Sequence, residues 1–119
     1  PLNIYGDGKQ VRDHLYITDL VKAFESFLER SEKLRGKVFN MGGGPQNTLS
    51  LLELISLIKE LTGKETKVSY SDWRPSDQKV YVTNIEEPKT LLDWSPTVGP
   101  KQGVKMLADW VTENIDILT

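Results

Sequence analysis

Tyr5 and Lys9, in the stretch Ile4-Tyr5-Gly6-Asp7-Gly8-Lys9, stand four residues apart. At that spacing a helix sets a proton-donating phenol beside an ammonium group, because residues i and i+4 share one helical face. Here the intervening residues are Gly-Asp-Gly, which break helices and favour a tight turn. The pair is read as the signature of a turn and not as an acid–base couple.

Four other features carry chemistry-bearing groups. Arg12-Asp13 follows the strand-like Val11 and reads either as an exposed ion pair, worth little, or as an arginine pointing into a cleft. There its planar fork suits a phosphate. The charged loop Asp72-Trp73-Arg74-Pro75-Ser76-Asp77 lies between two strand-like runs. Loops fixed by a rigid scaffold often carry binding groups, and Arg74 and Asp77 could hold a phosphate and a hydroxyl together. Taken alone, the loop reads more safely as a solvated surface. Tyr5, before a glycine turn, reads as partial core packing or as a platform for a base or sugar ring. The run Gly42-Gly43-Gly44 has neither the G-x-G-x-x-G spacing nor a Walker lysine, and Pro45 to Leu49 separate it from the next helix. It reads as a tight structural turn.

The totals narrow the classes. The 119 residues suffice for one domain with a real core, with 15 Lys plus Arg against 17 Asp plus Glu and a net charge of −2. No basic excess exists to neutralise a nucleic-acid backbone. The absence of cysteine excludes disulfides, thiolate zinc sites and cysteine nucleophiles. The single histidine, His14, offers no metal cluster of ordinary spacing. No apolar run approaches the roughly 20 residues that span a bilayer, and no signal peptide opens the chain. A soluble, cytoplasmic protein is expected. Pro1 to Tyr5 opens in the middle of a strand-like pattern, as a piece of a longer protein would.

The elements that must position these groups are of mixed α and β type. Leu2 to Tyr5 reads as a strand, and Val11 to Ile17 as a return strand or an extended crossing. Thr18 or Asp19 is a suitable N-cap for a helix whose apolar Leu20, Val21, Phe24, Phe27 and Leu28 repeat at helical spacing to about Ser31. Val38-Phe39-Asn40-Met41 reads as a short strand ending at the glycines. Ser50 and Glu53 form a capping box for a helix that is apolar on most of its circumference and ends at Gly63. Lys67 to Tyr70 and Lys79 to Val82 are strand-like. Asn84 caps a short helix carrying Leu91 and Leu92, and a last helix starts near Pro100.

In order, I-Y-G-D-G-x-Q-x-R-D, T-D-L opening a helix, V-F-N-M-G-G-G, T-L-S-L-L-E-L, R-P-S-D and L-L-D-W-S-P resemble the C-terminal part of NAD-dependent nucleotide-sugar epimerases and dehydratases. These are the extended short-chain dehydrogenases, and the resemblance covers nearly all of the chain. It implies an α/β fold, with residues 1–119 as a single substrate-binding domain lacking the N-terminal Rossmann part. The nearest members are sugar-nucleotide epimerases acting on CDP- or UDP-sugars, with a 4,6-dehydratase as the alternative inside the family. Outside it, the alternative is a non-enzymatic α+β interaction module.

Carried over by position, the resemblance implies that Tyr5 and the backbone around Asn3 lie against the nucleobase. Arg12 and Arg74 would clamp the diphosphate from opposite sides. Asp77 would accept from the ribose hydroxyls, and Tyr81 would lie near the sugar. Pro88 departs from the family pattern and implies a helix start at Pro88. The family's NAD-binding motif G-x-x-G-x-x-G and its helical Tyr-x-x-x-Lys do not occur in these residues. NAD would then be bound by the N-terminal part. Tyr5 and Lys9 would belong to an opening hairpin of the substrate domain, and residues 1–119 would supply no catalytic acid or base, cofactor site or metal site. The implied partners are a nucleoside-diphosphate sugar and the N-terminal Rossmann domain, with no nucleic acid or membrane. Uncovered apolar surface implies self-association of the fragment.

Overall fold

Side chains alternate across a strand, and along β1 (Leu2–Tyr5) this turns Ile4 into the core and Asn3 and Tyr5 to the other face. The computed structural model describes residues 1–118. β1 pairs in parallel with a strand 66 positions later, Leu2 lying opposite Val68 and Tyr5 opposite Ser71. The Gly6 N–H prolongs this ladder by donating to Ser71 O at 2.9 Å.

β2 (Val11–Asp13) lies in a different sheet, between β3 (Thr48–Ser50), antiparallel to it, and a later parallel strand over Val80–Tyr81. The hairpin expected for residues 2–13 is therefore not formed. Gly6 and Gly8, at φ +88° and +76°, redirect the chain through a conformation that side chains other than glycine rarely adopt. Gln10 Nε2 donates back to Tyr5 O, and Gly8 O and Gln10 O accept from Leu52 and Leu51 N–H. The turn is thus fastened to the start of a helix instead of folding back on β1.

α1 (Ile17–Glu29) has Tyr16 at its N-cap without a side-chain cap, so neither Thr18 nor Asp19 caps it. Asp19 is committed elsewhere. Its carboxylate is fully buried and accepts from Thr97 N–H, Thr97 Oγ1 and Val98 N–H at 2.7–2.8 Å. Its carbonyl takes the indole N–H of Trp94 at 2.8 Å. This fastens α1 to the segment that closes the core of Ala23, Leu34, Leu92 and Trp94.

α2 (Leu51–Thr62) opens with the expected capping box: Ser50 Oγ accepts from Glu53 N–H and Glu53 Oε2 from Ser50 N–H. After it come β4 (Val68–Ser71) and β5 (Val80–Tyr81). The N-cap of α3 (Glu86–Leu92) is Ile85, not the expected Asn84, whose Oδ1 accepts the Glu86 N–H from one residue further out, and the helix starts two residues before Pro88. Pro88 sits in the first turn, where its missing N–H has no intrahelical partner to lose. α4 (Pro100–Glu113) carries Pro100 at its first turn and packs against α2, and α5 (Ile115–Leu118) follows.

One expected strand is absent. Val38 to Met41 pairs with nothing among the described residues, and Val38 is exposed. An apolar run becomes a strand only when a neighbour supplies the ladder. The shape is correspondingly open. The radius of gyration is 16.9 Å, where a compact domain of this length has about 13–14 Å. No helix among the described residues is long and apolar enough to cross a membrane.

Candidate functional site

Of the six residues singled out in the sequence, the loop after β4 joins four, Tyr5 with Arg74 and Arg12 with Asp77, while Asn3 bonds to β4 and Tyr81 lies next to Arg12 in register. Asn3 and Tyr5 share a face of β1, and register places Ser69 and Ser71 of β4 beside them. Asn3 Nδ2 donates to Ser71 Oγ and Asn3 Oδ1 accepts from Ser69 Oγ, both at 3.1 Å. The chain leaving β4 then turns back over β1, and the Arg74 guanidinium carbon stands 3.9 Å from the centroid of the Tyr5 ring. A planar cation over an aromatic face is held by the ring quadrupole.

Arg12 points to the opposite face of β2 from Val11 and Asp13, and register sets it between Leu49 and Tyr81. Its Nη2 donates to Asp77 Oδ1 at 3.1 Å and its Nη1 to Val11 O at 2.8 Å. Asp77 belongs to the same turn as Arg74, closed by Asp77 N–H donating to Arg74 O at 3.2 Å with Ser76 at φ +64°. Tyr5 and Arg74 are thus stacked, Arg12 and Asp77 are paired, and the turn 74–77 carries one member of each pair. A guanidinium has five N–H donors, so Arg12 keeps donor capacity beyond its bonds to Asp77 and Val11.

Asp13 is not Arg12's partner. Its Oδ2 accepts the Gly44 N–H at 3.0 Å. Burial pushes the Asp13 carboxyl up, but the bonds it accepts from Gly44 and Thr83 outweigh this and hold it below the ordinary aspartate range. The three glycines are packing positions. A Cβ on Gly42 would meet Thr83 Oγ1 and Asp13 Oδ2, one on Gly43 the carbonyl of His14, and one on Gly44 the Ile85 side chain. With that space filled and the Gly44 N–H spent on a carboxylate, these residues do not fit the pyrophosphate of a dinucleotide.

Sequence reasoning passed over Trp73. An ideal Cβ on Gly6 would lie 2.5–2.7 Å from its Cε2, Cδ2 and Cζ2 atoms. A large aromatic beside two loop ligands was the available signal, but its partner lies far back in the chain.

Two arginines, a carboxylate and an aromatic ring are thus gathered on an α/β scaffold, groups whose chemistry suits an anion and a planar ring. The sequence profile of the family described as GDP-mannose 4,6 dehydratase matches residues 1–107. The chain is 39% identical over 112 residues to CDP-paratose 2-epimerase of Salmonella typhi, covering 94% of this chain and 33% of that protein. It is 34% identical over 118 residues to UDP-glucuronate 4-epimerase of Thermodesulfobacterium geofontis (strain OPF15), covering 99% and 35%. Among solved structures, UDP-glucuronic acid 4-epimerase from Bacillus cereus, in complex with UDP-glucuronic acid and NAD, superposes with a TM-score of 0.85 at 33% identity, covering 95% of this chain and 35% of that one. The chain belongs to the family of NAD-dependent nucleotide-sugar epimerases and dehydratases, the extended short-chain dehydrogenases. It spans about a third of the length of the curated relatives it matches.

Proposed function

We propose that residues 1–119 are the nucleoside-diphosphate-sugar binding domain of an NAD-dependent sugar-nucleotide epimerase taking a CDP- or UDP-sugar. What carries this is the turn 74–77, which brings Arg74 onto Tyr5 and Asp77 onto Arg12 of β2. A diphosphate needs two charged donors in fixed directions, and two arginines on separate elements supply them. Tyr5 and Asn3 would receive the base, Asp77 the ribose hydroxyls, and Tyr81, next to Arg12 in register, would approach the sugar. Binding this handle converts remote contacts into positioning at the reacting carbon. NAD supplies the redox chemistry of such enzymes, and its seat would lie in the rest of the protein, a reading that the packed glycines 42–44 support. That remainder would also cover the apolar face of α1, and without it residues 1–119 self-associate. A cytoplasmic location belongs to the same reading.

A titration of full-length protein with CDP, UDP and, separately, NAD tests the clamp. Arg12→Ala and Arg74→Ala should each cost about 1.5–3 kcal/mol in nucleoside-diphosphate affinity, the range for hydrogen bonds to charged groups. That is roughly a ten- to hundredfold loss, with NAD affinity unchanged. Parent-like nucleotide binding in both variants, or weakening of NAD alone, refutes it. The dehydratase alternative is favoured by the description of the matching family. Mass spectrometry of the turnover product separates the two, since a dehydratase product has lost water and an epimer keeps the substrate mass.

A further inference from the structure

The turn bearing Arg74 and Asp77 hangs on few contacts. Asp72 to Ser76 are exposed, Trp73 at 37%. The chain is fixed where it leaves β4, by Gly6 N–H to Ser71 O at 2.9 Å, and where it rejoins β5, by Val11 N–H to Lys79 O at 2.9 Å. Between these points the contacts to the rest of the site are of two kinds. Arg74 on Tyr5 and Asp77 on Arg12 use the very groups that a nucleoside diphosphate would engage. The Trp73 indole on Gly6 uses none of them, and Lys79 stands 5.7 Å from the centroid of that indole.

We infer that Trp73, seated on Gly6, is the positioning residue that keeps the Arg74–Asp77 turn over Tyr5 and Arg12 while the arginines change partners; this rests on the diphosphate reading above. An apolar seat survives the exchange of polar partners. It also removes in advance the freedom that ligand binding would otherwise have to take from the turn. Gly6 is the matching half of the device. Any side chain there would occupy the place of the indole ring, and φ +88° favours glycine for a second reason. Ring and glycine therefore form a lock between the first strand's turn and the loop after β4.

The experiment uses full-length protein carrying Trp73→Ala, Trp73→Phe or Gly6→Ala, with and without Arg74→Ala. The first arm is amide hydrogen exchange without ligand. Trp73→Ala and Gly6→Ala should speed exchange at Gly6 and Asp77 by about tenfold while α2 amides stay as in the parent, since such opening is local. The second arm is affinity for CDP and UDP. Trp73→Ala should weaken the tighter binder about tenfold, but less than about twofold when Arg74 is already alanine, because coupled residues are non-additive. Trp73→Phe should restore most of both effects. Unchanged exchange overturns the inference, as does an equal affinity loss in both Arg74 backgrounds, which would make the indole a direct ligand contact. If Arg74→Ala alone leaves nucleotide affinity intact, the diphosphate reading fails, and the exchange arm by itself decides whether Trp73 anchors the turn.

Discussion

Arg12 donates to Asp77 at 3.1 Å, joining β2 to a turn 65 residues later in the chain. Both side chains are partly exposed, at 36% and 25%, so the pair adds at most about 1 kcal/mol to folding. Its consequence is geometric: Asp77 and Val11 O aim the guanidinium and leave some of its five N–H donors unused by these bonds. Asp77→Ala should therefore weaken nucleoside-diphosphate binding less than Arg12→Ala or Arg74→Ala, with a stability loss within that bound. Calorimetric titration and urea denaturation of the three full-length variants measure both. A larger affinity loss for Asp77→Ala than for either arginine would show that the carboxylate is itself the main ligand contact.

The glycine run makes a different prediction, on stability. A Cβ at Gly43 would drive into the backbone carbonyl of His14, which cannot rotate away as a side chain can. Overpacking typically costs about 1–3 kcal/mol, and a backbone obstacle belongs at the top of that range. Gly36→Ala meets nothing within contact distance, although its φ of +74° still strains any side chain. Gly43→Ala should lose clearly more stability than Gly36→Ala in denaturant titrations. Equal losses would mean that the backbone at His14 gives way at little cost, and that close packing does not account for glycine at 43.

What the sequence revealed and what it hid follow from range. The capping box at Ser50 and Glu53 and Pro100 at the start of α4 are local patterns, and they stand where the pattern puts them. Asp19 misled because an acid near a helix start is ordinarily a cap, whereas its partners, Thr97 and Val98, are close only once the chain has folded. β3 is three residues long, too short for alternation to register. Val38 to Met41 has a strand's composition but no partner among the described residues. The site residues were legible as types because arginines and an aspartate in a loop advertise themselves. Their pairing, Arg74 to Tyr5 and Arg12 to Asp77, depended on two sheets that no local pattern predicts.

Asp19 also gives stability a pH dependence. Burial raises its carboxyl, but the bonds from Thr97 and Val98 and the charge of Lys22 outweigh burial and lower it below the ordinary value of 3.8. A group depressed in the folded state contributes fully above its unfolded value and loses that contribution as pH falls through the folded one. Asp13 acts in the same sense. Asp19→Asn should thus cost about 2 kcal/mol near neutrality, as for a lost charged hydrogen-bond acceptor. Its difference from the parent should narrow below pH 3.8, where the parent's carboxyl protonates. Chemical denaturation at several pH values checks this, and a gap that stays constant into acid would assign the loss to shape and not to charge.

The outer side of α1 carries the last prediction. Val21, Phe24 and Leu28 repeat at helical spacing along it and are exposed at 48–69%. Phe24 and Leu28 border a groove of about 470 Å³ that Ala23, Phe27, Phe39 and Met41 also line. An isolated exposed leucine is ordinary, but a continuous apolar patch rimmed by polar residues marks a surface that is covered in use. The open shape of the chain agrees, since its apolar residues enclose too little of one another. Residues 1–119 alone should therefore associate at tens of micromolar, roughly the concentrations at which exposed apolar surface becomes aggregation-prone. Phe24→Glu should shift them toward monomer, because a charge enters an apolar contact only at a large desolvation cost. In full-length protein, with this face covered, the same substitution should lower stability instead of changing association. Sedimentation velocity across a wide concentration range, on both lengths and both sequences, provides the measurement. A parent fragment that stays monomeric throughout would mean that α1 tolerates water as it stands, and that no other segment is needed to cover it.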